Sequence, residues 1–354
     1  MIDNMIYIIP IHSYIADIFT SGIWSGLDDL DDDELKELAK DLPQLAIESR
    51  SSGTVKNYLT AFNRWKVWAS RYDEISVFPA EAKHVALYLT HLTRISVTHT
   101  PISLAFYALG WAHRTSGLED PTSHALVKMV RESAVRNLGK GHNKKLPISA
   151  SDIKNIVKKF AGDNASLMDL RTVCLCLLCF SGFMRFDEVA NLKYCDIDFE
   201  ESYVRVFIEK SKTDQFRDGS WVYIAKSYSL ACPVTVLKRY LTFANFRSGS
   251  EKYIFRSVSY FKSLKRHKLR PGNKPITYTC ARELILKIFK DIGLESRLFG
   301  THSLRAGGAT AAANNQVPDR LFKKHGRWRS ERVKDGYVSE NLDQLLVVSQ
   351  NLGL

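Results

Sequence analysis

The sequence predicts a mainly α-helical protein with one small β-sheet, an α+β fold that is divided into two domains. Apolar residues recur at spacings of three and four through residues 51–138, which is typical of amphipathic helices. The segment SYVRVFIEKSK alternates instead, with Val204, Val206 and Ile208 on one face, and this period of two indicates a strand. At 354 residues, 45% of them hydrophobic, the chain is long enough for two domains with separate cores.

The formal net charge of +12 is unevenly distributed along the chain. Residues 1–50 contain eleven acidic and three basic residues, a net charge of −8, so the remainder carries +20. A basic body of this size favours a polyanionic partner, and nucleic acid is the usual one. A basic surface that only keeps the protein in solution is the alternative.

The sequence contains no pattern that indicates a metal site, a cofactor or a membrane span. The cysteines of CLCLLCF, at 174–180, lie in an apolar run where small core residues are expected, and the other three are isolated. Asp3, Pro10 and Asp17 interrupt the apolar start of the chain, and no signal peptide is evident. We therefore expect an intracellular protein without a metal or cofactor, in the nucleus if the host is eukaryotic.

Residues 1–50 are predicted to form an acidic N-terminal extension. The run LDDLDDDELKELAKDL favours one acidic helix with Leu35, Leu38 and Leu42 on one stripe. A solvated helix or a tail without fixed structure is one interpretation of this segment, and an arm that mimics DNA or binds a partner is the other.

Residues 51–138 are predicted to form a helical domain. Its first helix has apolar residues at helical spacing, namely Val55, Leu59, Phe62, Trp65 and Trp68. A second helix begins after Pro79, a residue favoured in first turns, and two more are expected around 100–113 and 124–137.

Residues 139–147 are predicted to link the two domains, because LGKGHNKKLP is rich in Gly, Lys and Pro and poor in apolar residues. Lys144 and Lys145 in this linker could cross a DNA backbone as a basic strap. The next helix is expected to begin with a capping box formed by Ser149 and Asp152.

The second domain is predicted over residues 148–354. A buried helix over 170–180 precedes the strand SYVRVFIEKSK, which returns as WVYIA after a mobile hairpin tip. The segment KSLKRHKLRPGNK, at 262–274, is predicted to be a basic loop that contacts DNA or serves as a nuclear address. Helices are expected in CPVTVLKRYLTF, over 282–292 and in the C-terminal SENLDQLLVVSQNLGL.

The segment from 301 to 337, THSLRAGGATAAANNQVPDRLFKKHGRWRSERVKDGY, holds the residues with the strongest chemical signal. His302 and Arg305 are three residues apart, so on one helix they face the same way, and the small residues that follow let that helix pack closely. Trp328 comes after a turn, and Tyr337 follows nine residues later. Together these residue types suggest a site for an oxyanion and a nucleophile.

This segment resembles the C-terminal signature of the tyrosine recombinases, the phage integrase family: His-x-x-Arg, a His or Trp, and a nucleophilic Tyr nine residues later. The stretch SGFMRFDEVANL, at 181–192, is similar to the family's earlier arginine motif and supplies Arg185 and Glu188. FPAEAKHVALYLTHL and HRTSGLEDP resemble the core-binding domain of Cre-like members, and HGRW resembles the recombinases of eukaryotic mobile elements of the Crypton and DIRS kind. The resemblance implies a helical, SAM-like DNA-binding domain and a catalytic domain that form a C-shaped clamp around DNA.

The resemblance also implies which residues hold the scissile phosphate. Arg185 and Arg305 would clamp its nonbridging oxygens, and Trp328 would donate its indole N–H to one of them. His325, three residues before Trp328, is the alternative, but the nine-residue step to the tyrosine favours the tryptophan. Glu188 would hold an arginine or the histidine in place.

Tyr337 would be the nucleophile of this reaction, with His302 as its base. Lys212, on the hairpin tip, would protonate the leaving 5′-hydroxyl, and Lys210 is the alternative. The implied enzyme cleaves and rejoins DNA through a 3′-phosphotyrosine without metal or ATP, and exchanges strands through a Holliday junction.

The residues that the resemblance implies as DNA contacts are Lys56, His99, Thr100, Ser103, Lys144, Lys145 and Arg282. The implied partner is double-stranded DNA with inverted or direct repeats, bound by a homotetramer on two sites with a dimer on each. The C-terminal helix would dock on a neighbouring protomer or fold back on its own domain. An inactive, domesticated sequence-specific DNA-binding protein is one alternative function, and a type IB topoisomerase is another, against which the Cre-like N-terminal domain argues.

Overall fold

The computed structural model describes residues 17–27, 29–139, 144–209, 218–340 and 342–353. The chain separates into two units, Met1–His142 and Asn143–Leu354. The division falls inside the segment expected to link two domains, 139–147, and the residues expected to form an extension, 1–50, belong to the first unit. None of the described helices is long and apolar enough to cross a membrane.

The first unit is built from helices that bury large apolar side chains against one another. Its described helices are α1 (Asp33–Glu48), α2 (Ser52–Ala69), α3 (Ala82–Ile95), α4 (Thr100–Thr115) and α5 (Ala125–Leu138). Phe62 and Trp65 are fully buried, and the indole N–H of Trp65 donates to the carbonyl of Val77 at 2.8 Å. The four helices expected over 51–138 are confirmed, and the amphipathic spacing is the reason they form.

Part of the predicted N-terminal extension packs against this helical unit. Ile18 is fully buried, and the hydroxyl of Ser116 donates to its carbonyl at 2.7 Å. The indole N–H of Trp24 donates to the carbonyl of Thr115 at 2.9 Å. A tail without fixed structure is therefore wrong for residues 17–27, because these apolar side chains find partners that the local sequence does not reveal.

The acidic helix predicted in the same segment is present as α1. The carboxylate of Asp32 caps it by accepting from the backbone N–H groups of Glu34 and Leu35, at 2.9 and 3.1 Å. The helix has no buried residue, and its leucine stripe is exposed. This burial pattern matches the prediction of a solvated acidic helix.

The second unit surrounds one buried helix. Its described helices are α6 (Ala150–Phe160), α7 (Leu167–Ser181), α8 (Phe186–Ala190), α9 (Pro233–Phe243), α10 (Tyr278–Asp291), α11 (Thr301–Asn314), α12 (Asp319–Gly326), α13 (Glu331–Asp335) and α14 (Leu342–Gln350). Eleven residues of α7 are buried, including the cysteines of CLCLLCF, as their apolar surroundings predicted. The predicted capping box of Ser149 and Asp152 opens α6.

A small antiparallel sheet lies in the second unit. It has the order β1 (Ile197–Phe199), β2 (Tyr203–Ile208) and β3 (Ser220–Ala225). Val206 of β2 is opposite Val222 of β3, and both are buried. The strand and its returning partner are therefore confirmed, since the alternation of SYVRVFIEKSK matches the burial along β2.

The basic segment 262–274, predicted to be a loop, is instead part of a second β-hairpin. β4 (Val258–Phe261) pairs antiparallel with β5 (Arg266–Leu269), and Lys265 completes the turn between them with a φ of +46°. The prediction of a loop is wrong because RHKL contains one apolar residue and shows no period of two. Backbone pairing with β4 stabilises this strand, and the residue types of β5 do not predict that pairing.

Candidate active site

The helix α11 carries Arg305 into the interior because two glycines allow it to approach its neighbours closely. A Cβ atom on Gly308 would lie 1.9 Å from the carbonyl oxygen of Phe180, at the end of α7. A Cβ atom on Gly307 would lie 2.1 Å from the carbonyl oxygen of Ile148. The close packing predicted from the small-residue run is thus confirmed, and it brings Arg305 next to the loop that follows α7.

Glu188 is the buried centre of the site. Its carboxylate accepts from the backbone N–H of Arg185 at 2.9 Å and from the guanidinium of the same residue at 2.8 Å. Arg327 donates to it at 2.7 Å, and the guanidinium of Arg305 lies 3.7 Å away. Burial opposes its ionisation, but the charge of Arg327, the N–H of Arg185 and the charge of Arg305 together hold the pKa of Glu188 below its ordinary value.

One carboxylate therefore gathers three guanidiniums, which leaves the cluster with an excess of positive charge. The side chains of Arg305, Arg327 and Arg185 are 1%, 10% and 13% exposed. Positive charge that is held in the interior and only partly compensated favours the binding of an anion.

Arg305 is the most deeply buried member of the cluster. Its guanidinium donates to the carbonyl of Phe183 and, at 2.7 Å, to the carbonyl of Gly326. The rings of Trp328 and Tyr337 lie over it, with their centroids 5.2 and 4.9 Å from the guanidinium carbon. Burial, and next to it the charge of Arg185, lower the pKa of Arg305 to about 10, so it remains a cation at neutral pH.

Arg327 belongs to the site although the sequence did not single it out. It ends α12 in the left-handed conformation, with a φ of +55°, and this backbone turns its side chain toward Glu188. It also donates to the carbonyls of Gly182 and Phe183, both at 3.3 Å. Arg327 therefore fixes the loop between α7 and Arg185, a role that one arginine among the five basic residues of KKHGRWR does not reveal.

Trp328 and Tyr337 stack beside the arginines. Their ring centroids are 5.5 Å apart, and Trp328 is buried against Phe322 at 5.0 Å. Among the described residues, the indole N–H of Trp328 has no hydrogen-bond partner. A buried donor on a ring that lies over the Arg305 guanidinium is available to an anion bound there.

His325, the alternative to Trp328, has a structural position. Its Nε2 lies 2.8 Å from the carbonyl of Ser181, and its ring packs edge-on against Phe183 at 4.7 Å. Burial lowers the pKa of His325, which favours the neutral ring. These contacts leave Trp328 as the residue of this pair that stacks on Tyr337.

The chain around Tyr337 is held by its own domain. The hydroxyl of Thr310, on α11, donates to the carbonyl of Tyr337 at 3.4 Å and accepts from the N–H of Ser339 at 3.1 Å. Tyr337 itself is half-buried. The phenol ring and Arg305 therefore share one site within one chain.

Lys334, three residues before Tyr337, ties α13 to α12. Its ammonium group contacts Asp319, Glu331 at 2.7 Å and Asp335 at 3.5 Å. The hydrogen bonds to Asp319 and Glu331 raise the pKa of Lys334. Hydrogen bonds from Lys323 and Lys334 lower the pKa of Glu331 to about 2.

The structure brings together five of the predicted catalytic residues: Arg185, Glu188, Arg305, Trp328 and Tyr337. His302 lies on the first turn of α11 and is exposed, so it differs in burial from Arg305, with which it was expected to share a face. Lys212 and its alternative Lys210 lie outside the described residues.

The residues predicted to contact DNA lie in both units. Lys56, Thr100 and Arg282 are exposed on α2, α4 and α10. His99 precedes α4, with its Nδ1 3.4 Å from the hydroxyl of Ser103. Two further residues of this set are exposed and donate to backbone carbonyls, Lys144 to Gly336 at 3.5 Å and Lys145 to Arg297.

The sequence of this chain is similar to those of known proteins. The model of the phage integrase family matches residues 147–342. An integrase/recombinase XerD homologue of Selenomonas ruminantium is 27% identical over 301 residues, which cover 83% of each chain.

Solved structures with the same fold include one recombinase and two integrases. XerH site-specific recombinase bound to palindromic difH substrate has a TM-score of 0.57 and 14% identity, covering 98% of this chain and 90% of the other. A lambda integrase dimer bound to a core site has a TM-score of 0.54 and 15% identity, with coverages of 95% and 82%. The Tn1549 transposon integrase in complex with transposon right end DNA has a TM-score of 0.53 and 12% identity, with coverages of 85% and 93%.

A tyrosine stacked on a buried arginine beside a second arginine is the arrangement expected of the class of tyrosine-type DNA strand transferases. The family match covers more than half of the 354 residues. This chain therefore belongs to the phage integrase family, the family of the tyrosine recombinases. The resemblance noted in the sequence is confirmed at this level, as are the mainly helical α+β fold and the enzyme class.

Proposed function

We propose that this protein is a site-specific DNA recombinase or transposase that cleaves and rejoins duplex DNA through a 3′-phosphotyrosine at Tyr337. The observation that carries the proposal is the 4.9 Å separation of the Tyr337 ring from the guanidinium of Arg305, in a cluster that also contains Arg185. A phosphate held by these arginines would lie next to the phenol.

The chemistry follows from the charge of the phosphodiester. The two nonbridging oxygens carry negative charge, and the transition state concentrates more charge there, so preorganised cations lower the barrier. Arg185 and Arg305 supply fixed positive charge, and the indole N–H of Trp328, which has no partner within the described part of the chain, adds a hydrogen bond to an oxygen. Glu188 contacts both clamping arginines, and Arg327 holds the loop that precedes Arg185.

In the cleavage step the phenol oxygen of Tyr337 forms a bond to phosphorus and the bond from phosphorus to the 5′ oxygen breaks. His302 would accept the phenol proton, because an imidazole titrates near neutral pH. Lys212 would donate a proton to the leaving oxygen, with Lys210 as the alternative donor. Attack by a 5′-hydroxyl reverses the step, and one phosphoester is exchanged for another throughout, so ATP is not needed.

The substrate and assembly follow the family resemblance. Duplex DNA with inverted or direct repeats would be held by Lys56, His99, Thr100, Ser103, Lys144, Lys145 and Arg282. A tetramer on two sites would exchange strands through a Holliday junction. The resemblance of HGRW to the recombinases of eukaryotic mobile elements of the Crypton and DIRS kind favours a transposon origin. DNA complexes among the structural neighbours support duplex DNA as the ligand class.

A nicked suicide duplex made from the DNA that flanks the gene tests this function. We expect a covalent protein–DNA adduct that Tyr337→Phe abolishes. Tyr228→Phe, at a fully exposed tyrosine, is the matched control and should form the adduct normally. Absence of the adduct with DNA binding intact would favour an inactive DNA-binding protein, and plasmid relaxation without strand exchange would favour a topoisomerase.

A further inference from the structure

A basic cavity of about 620 Å³ lies between the start of α7 and the hairpin of β4 and β5. We call it the hairpin pocket. Among the described residues, its lining contains no aspartate or glutamate and includes six cationic side chains: Lys252, Arg256, Lys265, Arg266, Lys268 and Arg270. Such a surface has a strongly positive potential and attracts a polyanion.

Two buried guanidiniums strengthen the positive potential of this pocket. Arg171 and Arg256 are 2% and 8% exposed, and among the described residues their hydrogen bonds go to backbone carbonyls and not to a carboxylate. Arg171 donates to the carbonyl of Arg256 at 2.6 Å, and Arg256 donates to the carbonyl of Arg270 at 3.3 Å. Within the part of the chain that the structure describes, the Nε–H of Arg256 has no acceptor.

Buried cations without a counter-ion are costly, and an anion that enters the pocket relieves that cost. Burial lowers the pKa of both Arg171 and Arg256, which is the expected response to a charge held in an apolar setting. The guanidinium of Arg256 also lies over the ring of Phe246, at 5.4 Å. The wall of the pocket is therefore a fixed cationic surface, and the exposed lysines and arginines of the hairpin surround it.

The hairpin pocket is remote from the catalytic cluster. Ser166 and Leu167 line it at the first residue of α7, whereas the carbonyl of Ser181 at the other end of α7 contacts His325 of the active site. Fifteen helical residues span about 22 Å, and a B-form duplex that ran parallel to α7 would cover this length in about six base pairs. One phosphate cannot contact both places.

We propose that the hairpin pocket is a second phosphate-binding site, which holds the backbone of the duplex about six base pairs from the scissile phosphate. This inference rests on the proposed function, because it takes the same DNA as the ligand. The volume exceeds that of a single phosphate group, and the cations are spread along a hairpin, so successive phosphodiesters of one strand fit better than a single free anion. The segment that looked like a basic loop is thus a preformed binding element.

Salt-dependent binding of two duplexes tests the inference with the full chain. One duplex ends about four base pairs from the cleavage site and the other extends about twelve, so that only the longer one reaches the pocket. The test variant is the double substitution Arg266→Gln and Lys268→Gln on β5, a strand stabilised by its backbone pairing with β4. Lys154→Gln with Lys158→Gln, at exposed positions of α6, removes the same charge elsewhere.

On the longer duplex, we expect the slope of log K against log salt to become less negative by about 1.8 in the test variant, because two phosphate contacts are lost. The shorter duplex and the α6 variant should retain the wild-type slope. If the double variant does not fold, Lys265→Gln at an exposed position replaces it. Its slope of log K against log salt should become less negative by about 0.9.

An unchanged slope on the longer duplex would overturn the inference, as would a variant that binds DNA normally but loses an acidic protein partner. The proposed function is tested separately, by adduct formation on the short nicked duplex. If the wild-type protein forms no adduct but the slope change is found, the pocket remains a DNA site and only the recombinase chemistry fails.

Discussion

Replacement of Glu188 with glutamine tests whether one carboxylate holds the three arginines of the active site together. Its side chain is 2% exposed, and its oxygens lie 2.7 Å from Arg327, 2.8 Å from Arg185 and 3.7 Å from Arg305. Glutamine preserves the shape but leaves buried guanidiniums without their counter-charge. Removal of one partner from a buried ion pair costs about 3–5 kcal/mol, and solvent hardly screens a group at this depth.

The expected loss is large enough to measure by thermal unfolding. For a unit the size of Asn143–Leu354, each kcal/mol changes Tm by about 2–4 °C, so we expect a fall of about 6–20 °C. Asp187→Asn is the matched control, because it makes the same chemical change at an exposed position of the same helix. A Glu188→Gln variant no less stable than Asp187→Asn would refute the reasoning.

Wild type and Glu188→Gln should also differ in how their stability responds to acid. The pKa of Glu188 lies below its ordinary value, so its contribution to stability is complete above a pH of about 4.3 and is lost as pH falls through the folded-state pKa. The difference in Tm between wild type and Glu188→Gln should therefore shrink below a pH of about 4. A difference that does not change with pH would show that the ionised carboxylate is not the source of the effect.

Two further substitutions separate catalysis from stability. Trp328→Phe should slow adduct formation roughly 100- to 1,000-fold, because it removes one hydrogen-bond donor to the phosphate. DNA binding and most of the ring contacts should be kept. An adduct rate within about twofold of wild type, on the order of measurement error, would contradict this expectation. Lys334→Met should release α13 from Asp319 and slow adduct formation on the order of 10- to 100-fold without weakening DNA binding. Lys324→Met, at an exposed residue of α12, is its control, and equal rates for the two variants would remove Lys334 from the positioning of Tyr337.

The helices and the residues of the candidate active site could largely be predicted from local patterns. The spacing of Phe62 and Trp65 determines which face of α2 is buried, and the alternation along β2 identifies a strand with one buried face. Arg185, Arg305 and Tyr337 were predicted as one site because their order and spacing match a family signature. Glu188 was expected to hold an arginine or the histidine in place, and in the structure its carboxylate contacts Arg185, Arg305 and Arg327.

Other features depend on contacts between residues far apart in the chain, which local patterns do not contain. Arg327 reaches Glu188 because of a left-handed backbone at the end of α12, and basic residues in KKHGRWR look alike until that turn is formed. Ile18 is buried through Ser116, almost a hundred residues away. The strand β5 exists because β4 pairs with it, and its own residues favour a loop.

The two hydrogen bonds of the Thr310 hydroxyl couple the motion of the Tyr337 backbone to the motion of α11. It bonds the main chain on both sides of Val338 from the same rigid helix that carries Arg305, five residues or about 7.5 Å along the axis. A displacement of that helix should therefore carry the Tyr337 backbone along with Arg305, so that the distance between the proposed nucleophile and the guanidinium changes little. Thr310→Val keeps the branched shape and deletes both hydrogen bonds. We expect it to uncouple these movements and to lower the rate at which bound DNA forms the adduct.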